Sequence, residues 1–318
     1  MSLIIKKLNK KEDCMIIKSR AFFRLVLFII VPNLSGCGDN NATDNLKNNL
    51  NRTLNFSPKY QNKTLKCLSP FSHQGKSWQY SQLQFFVSEV EVKDQNGKWQ
   101  IWQLTENEYQ SSNVALIGEY CQSNKVKQQS VHTREGNWQL SFEQVIEPST
   151  ISQLRFTLGV PFYLNHQNPL LQASPLNVPN MFWVWQTGHK FFRLDMEEVN
   201  EFSQKDNWQF HLGSTGCKAP SPLRAPKNLC VNGNQAKITL DIKANTQGKE
   251  LPSIDVDLSH LFSGLITTKQ NSCQSEPDNN SCLPLFKSVG LLVPKVKSQR
   301  QSLFKATNGT KPVSLSKK

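Results

Sequence analysis

From about Lys63 onward the chain is built of short apolar–polar alternations cut by turn residues, a pattern that leaves little room for anything but β-structure. A period of two sends alternate side chains to opposite faces of a strand, so each short run can bury one face and wet the other. Strands are expected at 83–92, 99–104, 138–146, 154–160, 182–186, 190–195, 208–212, 236–242 and 291–293. The Asn96-Gly97 pair between the first two is a hairpin signal. No segment sustains a 3.6-residue period, although 257–262 has room for a turn or two of helix. No internal repeat is present. Many short strands punctuated by Gly and Pro point to an all-β fold, a single β-sandwich-like domain with long loops. At 318 residues and 37% hydrophobic content the chain can bury a real core, and collagen, coiled coil and wholesale disorder are excluded.

The first residues read as an export signal. From Met15, a more natural start than Met1, a basic segment with Lys18, Arg20 and Arg24 precedes the apolar run 25–31 and then Leu34-Ser35-Gly36-Cys37. The run is too short to span a bilayer. The Leu-Ser-Gly-Cys ending resembles a lipoprotein lipobox, which makes 1–36 a signal peptide and Cys37 the lipidated first residue of the mature chain. Gly38 in second place favours the outer membrane, so the expected location is the bacterial periplasm with the chain anchored there through Cys37. Residues 37–62 are Asn-rich and read as a tether, 63–305 as the β domain, and 306–318 as a disordered basic tail.

Export changes how the cysteines read. With Cys14 removed and Cys37 lipidated, Cys67, Cys121, Cys217, Cys230, Cys273 and Cys282 remain, an even number in an oxidising compartment and hence three expected disulfides. The close pairs Cys217 with Cys230 and Cys273 with Cys282 are the simplest of the fifteen connectivities, leaving Cys67 with Cys121. No C-x-x-C or C-x-x-C-H occurs, which disfavours a zinc ribbon, a thioredoxin-type pair and covalently attached haem in this chain.

The net charge of +13 invites a nucleic-acid reading that its distribution removes. Of 37 Lys+Arg and 24 Asp+Glu, residues 1–36 hold seven and two, and residues 287–318 hold eight and none, which leaves 22 of each sign in between. The body has no basic stripe interleaved with aromatics, so no nucleic acid is expected as a partner.

Histidine and tryptophan are the candidate chemistry. In 181–195 the spacing predicts a hairpin with Trp183 and Trp185 on one strand face, where two indoles would ordinarily be core. In 208–212 Trp208, Phe210 and Leu212 share one face and Gln209 and His211 the other. His166 lies in the loop-like run 159–169, with more freedom to serve a site.

These residues also carry a resemblance. Gly159-Val160-Pro161 with Asn165-His166, Pro175-Leu176-Asn177, Trp183-Val184-Trp185-Gln186 with Gly188 and Lys190-Phe191, and the run from Phe210 through His211 to Cys217 resemble the signature of the MbnP family. These are periplasmic or lipid-anchored proteins also described as the four-Cys member of the metallo-mystery pair. The likeness takes in 85–90, 114–116 and 285–291 and covers about 64–305.

The resemblance implies one bound copper ion and a partner, a MauG-like di-haem enzyme of the cytochrome c peroxidase class that oxidises a tryptophan to kynurenine. Carried over by position, His166 and His211 are the implied ligands and Trp185 or Trp183 the oxidised residue, with Trp185 preferred for its place beside Gln186. Imidazole suits copper and needs few protons displaced. His189 departs from the family, which usually has Tyr there; of two readings, a third imidazole for the site or a ring replaced in the core, the second is preferred. His73, His132 and His260 have no motif support. Without a Met-rich or His-rich tract, a copper store is disfavoured. The chain is expected to have no turnover of its own: a Gly-x-Ser-x-Gly elbow and an activated thiol are both missing. The other reading is a metal-free lipoprotein that binds a saccharide or protein through exposed aromatics.

Overall fold

In the computed structural model the described residues are 52–121, 136–145, 147–201, 205–242, 251–291 and 300–307, and all of them belong to one compact unit, Asn41–Lys318. In chain order the strands are β1 (Thr53–Tyr60), β2 (Lys63–Thr64), β3 (Phe71–His73), β4 (Lys76–Asp94), β5 (Trp99–Ile101), β6 (Val114–Tyr120) and β7 (Gln139–Ser141). They continue with β8 (Ile151–Leu158), β9 (Lys190–Glu198), β10 (Asn207–Gly213), β11 (Ala236–Asp241), β12 (Ser253–Asp257) and β13 (Phe304–Thr307). One sheet runs β13-β12-β1-β2 with β7 also paired to β1. The other runs β10-β9-β4-β8-β11, with β3, β5 and β6 also on β4.

The long β4 organises the second sheet. Its first half pairs with β9 and its second half with β8 on the same edge, while β6 and then β5 take the other. The change from β9 to β8 falls between Phe85 and Val87, and the change from β6 to β5 falls at a bulge between Ser88 and Glu91, where Glu89 adopts a left-handed φ of 51°.

Phenylalanines lock the two sheets face to face. Phe56 of β1 meets Phe85 of β4 at 5.6 Å and Phe156 of β8 at 6.2 Å, and Phe304 of β13 meets the same two rings at 5.4 and 5.3 Å. Phe192 and Phe210 carry the cluster on to β9 and β10. All are buried, each contributing about 1.5–3 kcal/mol of transfer free energy. The fold is therefore an all-β sandwich, stapled by Cys67–Cys121, Cys217–Cys230 and Cys273–Cys282.

Four expectations need correction. Residues 53–60, read as tether, form β1, because Leu54, Phe56 and Tyr60 alternate inward between polar residues and fill the core. Ala306 and Thr307, read as tail, continue β13 opposite Ile254 and Ser253. The segment 182–186 is a turn rather than a strand, joined to its neighbour by the single bridge Phe182↔His189. Among the described residues of 138–146 only Gln139–Ser141 is strand, Cys282–Ser288 is a short helix that the sequence did not announce, and 292–293 of the expected last strand lie outside the described residues. Cys37, the signal, His132 and 308–318 lie outside the described residues. No helix among the described residues is long and apolar enough to cross a membrane.

Candidate metal centre

His211 is delivered by the alternation of β10. Trp208, Phe210 and Leu212 go fully into the core, which turns His211 onto the opposite face, in register with Arg193 of β9. Asp195, two residues along β9, reaches diagonally to His211: its Oδ1 lies 2.5 Å from Nε2. Arg193 grips the other carboxylate oxygen through Nε at 2.8 Å and Nη2 at 2.6 Å. The cations are held from above by the loop before β9, where the Asn180 carbonyl accepts from Arg193 Nη1 at 2.5 Å and Lys190 Nζ at 3.0 Å.

Burial lowers the His211 pKa; Asp195 opposes this, and the charges of Arg193 and Lys190 add to it. Burial pushes Asp195 upward, but its bonds to His211 and Arg193 hold it below the usual carboxylate range. Lys190 is pulled down to about 8, by burial first and then by Arg193. The pair is thus a neutral imidazole donating from Nε2 to an ionised carboxylate. Its Nδ1 is left as a buried lone pair with no partner, as is Oδ1 of Asn180, whose carbonyl belongs to the same network.

His166 follows the four-residue helix Phe162–Asn165. Its Nδ1 lies 3.1 Å from the Trp185 carbonyl. A carbonyl only accepts, so Nδ1 carries the hydrogen and Nε2 keeps the lone pair. Nε2 faces Asn165 Nδ2 at 3.2 Å and Cys230 Sγ at 3.6 Å. Burial lowers the pKa of this ring too, with the Trp185 carbonyl opposing.

Asn165 ties the loops together. Its Oδ1 accepts from His189 N at 2.7 Å, and its Nδ2 donates to Ser214 Oγ at 3.4 Å. The turn that follows Trp183 closes by Gly188 N donating to Val184 O at 2.7 Å. Gly188 has φ +79°, and a Cβ there would come 2.5 Å from both Asn165 O and Oδ1, so neither the conformation nor the space admits a side chain. His189 is fully buried with Nδ1 and Nε2 each 3.0 Å from a carbonyl, those of Asn165 and Leu176. Each nitrogen faces a carbonyl, the neutral ring can donate to only one of the two, and the ring is a core element.

The two indoles, expected on one strand face, part company at this turn. Trp183 lies over Gly213, where a Cβ would sit 2.5 Å from its ring, and has Lys190 Nζ 6.0 Å from its centroid. Trp185 instead offers its carbonyl to His166. The structure therefore makes two clusters, His166 with Trp185 and His211 with Asp195, Arg193 and Lys190. Lys190 of the second cluster has its Nζ 6.0 Å from the ring of Trp183, two residues from Trp185 of the first. No hydrogen bond joins His166 to His211 among the described residues. Two sulfur-containing groupings, His166 with Cys217 and Cys230, and Cys273 with Glu276 and Cys282, offer no thiolate, because each cysteine pair is a disulfide.

A profile of the MbnP family matches residues 48–279. The chain belongs to the MbnP family. No curated protein matches. Among solved structures it is similar to MbnP from Methylosinus trichosporium, with 20% identity and a TM-score of 0.64 over 80% of this chain and 96% of that one. At that identity the likeness to MbnP speaks for the fold. The span matched to the MbnP family begins before β1, consistent with that strand belonging to the domain, and takes in His166, Trp183, Trp185, Asp195 and His211. Asp195, Arg193 and Asn165 are functional candidates that sequence reasoning missed. The available signal was Arg193-x-Asp195 at alternate positions of one strand, facing His211 once the β9–β10 register is drawn.

Proposed function

We propose that this MbnP-family chain is an exported protein, lipid-anchored through Cys37 to the outer membrane, that binds one copper ion. In this reading His166 and His211 are ligands, and a MauG-like di-haem partner oxidises Trp185, or Trp183, to a kynurenine that completes the site. The chain itself carries no haem and turns over no substrate.

One observation carries the reading: His211 is buried and neutral, its Nε2–H committed to Asp195 and its Nδ1 lone pair unpartnered. An orphaned buried nitrogen costs free energy unless something occupies it. A carboxylate behind an imidazole is the arrangement that fixes tautomer and ring orientation in metal-ligating histidines. His166 offers a neutral imidazole with Nδ1–H fixed by a carbonyl and Nε2 as the donor, which a metal would take over from Asn165 Nδ2, 3.2 Å away. Copper, when bound, would supply a soft, redox-active centre suited to such nitrogens. The rest is the chain's own work: Asp195 and Arg193 orient one ring, the Trp185 carbonyl orients the other, and the sandwich keeps both dry.

The metal-free alternative needs exposed aromatics. Among the described residues the exposed ones are Tyr120 and Tyr163, while Trp183 and Trp185 are half-buried, so that reading has less to stand on.

The test is co-production with the di-haem partner, followed by peptide mass spectrometry and metal analysis. Kynurenine at 183 or 185, about one copper per chain, and loss of copper in His166→Ala and His211→Ala are expected. Intact indoles in a metal-free native protein would overturn the reading.

A further inference from the structure

Six of the eleven large apolar side chains exposed among the described residues lie on two loops that meet at His166. Tyr163, Leu170 and Leu171 come from 161–172, and Leu223, Leu229 and Val231 from 217–231. Their exposure is high: Leu170 83%, Leu171 84%, Leu223 71% and Leu229 76%. The two loops are fastened to each other and to the tryptophan turn. Cys230 Sγ lies 3.6 Å from His166 Nε2, and Gln186 bonds the second loop through Pro222 O at 3.2 Å and Cys217 O at 3.0 Å. The disulfide Cys217–Cys230 closes that loop at its base. The loops that carry these side chains are thus fastened beside His166 and Trp185.

The two loops and the turn themselves carry positive charge only, while Glu89 and Glu91 line a pocket beside Tyr163 at one margin. Neither 148–194 nor 207–240 contains an Asp or Glu, although the body as a whole is balanced. The disulfide-closed loop adds Lys218, Arg224 and Lys227, all exposed. At the disulfide-closed loop, apolar side chains with a cationic margin fit a partner whose own patch is apolar with an acidic rim.

We infer that this surface docks a protein partner with an acid-rimmed apolar patch, seating it over His166 and Trp185. The partner's identity rests on the reading above: it is the di-haem enzyme. The two loops and the turn supply about the 20–30 residues a side that a standard interface uses. A second copy of the chain is disfavoured, because an isologous contact would bring the same three cations against themselves. An anionic bilayer would gain only about 1 kcal/mol per cation from this loop, and side chains pinned by a disulfide and cross-loop hydrogen bonds suit a shaped protein surface better.

The experiment measures association of the full mature chain with the purified di-haem protein, and with phosphatidylglycerol vesicles, for wild type, K218E/R224E/K227E and L223S/L229S. The substituted side chains are exposed, and circular dichroism confirms that each variant is folded. Expected are a wild-type complex that weakens as salt rises, an association rate about tenfold or more lower in the charge-reversed variant, and a clearly raised dissociation constant in L223S/L229S. Partner binding unchanged in both variants, no wild-type complex, or loss of vesicle binding alone would each overturn the inference. Peptide mass spectrometry of residues 183 and 185 in the same samples separates the two claims. Kynurenine that forms equally in all three proteins removes the docking face and leaves the function, whereas a face-dependent complex that never yields kynurenine does the reverse.

Discussion

Asp195 Oδ1 stands 2.5 Å from His211 Nε2 while Arg193 holds the other carboxylate oxygen. The relationship spans two strands and depends on their register, with His211 opposite Arg193 and Asp195 one diagonal step away. It settles which imidazole nitrogen carries hydrogen, and so which one can donate to a metal.

Asp195→Asn should therefore weaken copper binding by about 10–100-fold while leaving the fold in place. The amide keeps the shape but loses the charge that anchors Arg193, and it can present either a donor or an acceptor to Nε2. Competition against a chromophoric Cu(I) chelator reads the affinity. An affinity equal to wild type would remove Asp195 from the site. Asp195→Ala should in addition lower stability, because the half-buried Arg193 then loses its carboxylate and keeps only the Asn180 carbonyl.

Acid should destabilise the apo-protein earlier than its carboxylates predict. Burial lowers His73, His166, His189 and His211 below the ordinary value of 6.5. Above pH 6.5 these rings are neutral in both folded and unfolded chains, and they add no pH dependence. As pH falls below 6.5 the unfolded chain takes up protons that the folded chain refuses, so stability drops until the depressed folded values are passed. Thermal unfolding should show a Tm that is flat just above neutrality and declines from about pH 6.5 downward. A Tm insensitive to pH between 7 and 5 would contradict these histidine environments. Copper should slow the decline, since metal bound to the neutral rings opposes their protonation.

Gly188→Ala should be more damaging than an ordinary loop substitution. A left-handed φ for alanine costs about 1 kcal/mol or more. The added methyl also meets backbone and side-chain oxygens of Asn165, which cannot retreat without breaking their bonds to His189. Urea denaturation should show the loss of stability, and copper binding should fall with it because Asn165 adjoins His166. Gly213→Ala makes a different collision, with the Trp183 ring. Its expected signature is a changed tryptophan emission.

Much of the sandwich was legible because its physics is local. β4, β8, β9, β10 and β11 announce themselves by period two, and the three disulfides follow the simplest pairing of neighbours. What escaped depended on distant partners. β1 is hidden in an Asn-rich stretch, and only its distant neighbours, β7 opposite Leu54 and β12 opposite Phe56, give the alternation a purpose. The tryptophan turn reads as a strand from its aromatic content, yet Gly188 and the Asn165 contacts reverse the chain there. The helix Cys282–Ser288 is two turns long, too short for a period to register, and is fastened by Cys273–Cys282. His166 and His211 could be named from the sequence, whereas Asp195 acquires meaning only through the β9–β10 register.

Opening the Cys217–Cys230 disulfide should separate stability from site integrity. The bond closes a loop of separation 13, for which chain entropy gives about 3 kcal/mol of stabilisation. Cys217→Ser with Cys230→Ser should lower the urea midpoint accordingly. Cys273→Ser with Cys282→Ser, separation 9, should cost a similar amount. The two variants should differ in copper affinity. Cys230 packs against His166 Nε2, so the first should loosen that ring and weaken binding. The second pair touches the site through His211 N, which donates to Cys273 O at 2.9 Å, a backbone contact that serine preserves. Chelator competition and urea unfolding on both variants give the comparison. Equal copper affinities at equal losses of stability would mean that the first disulfide supports the fold alone.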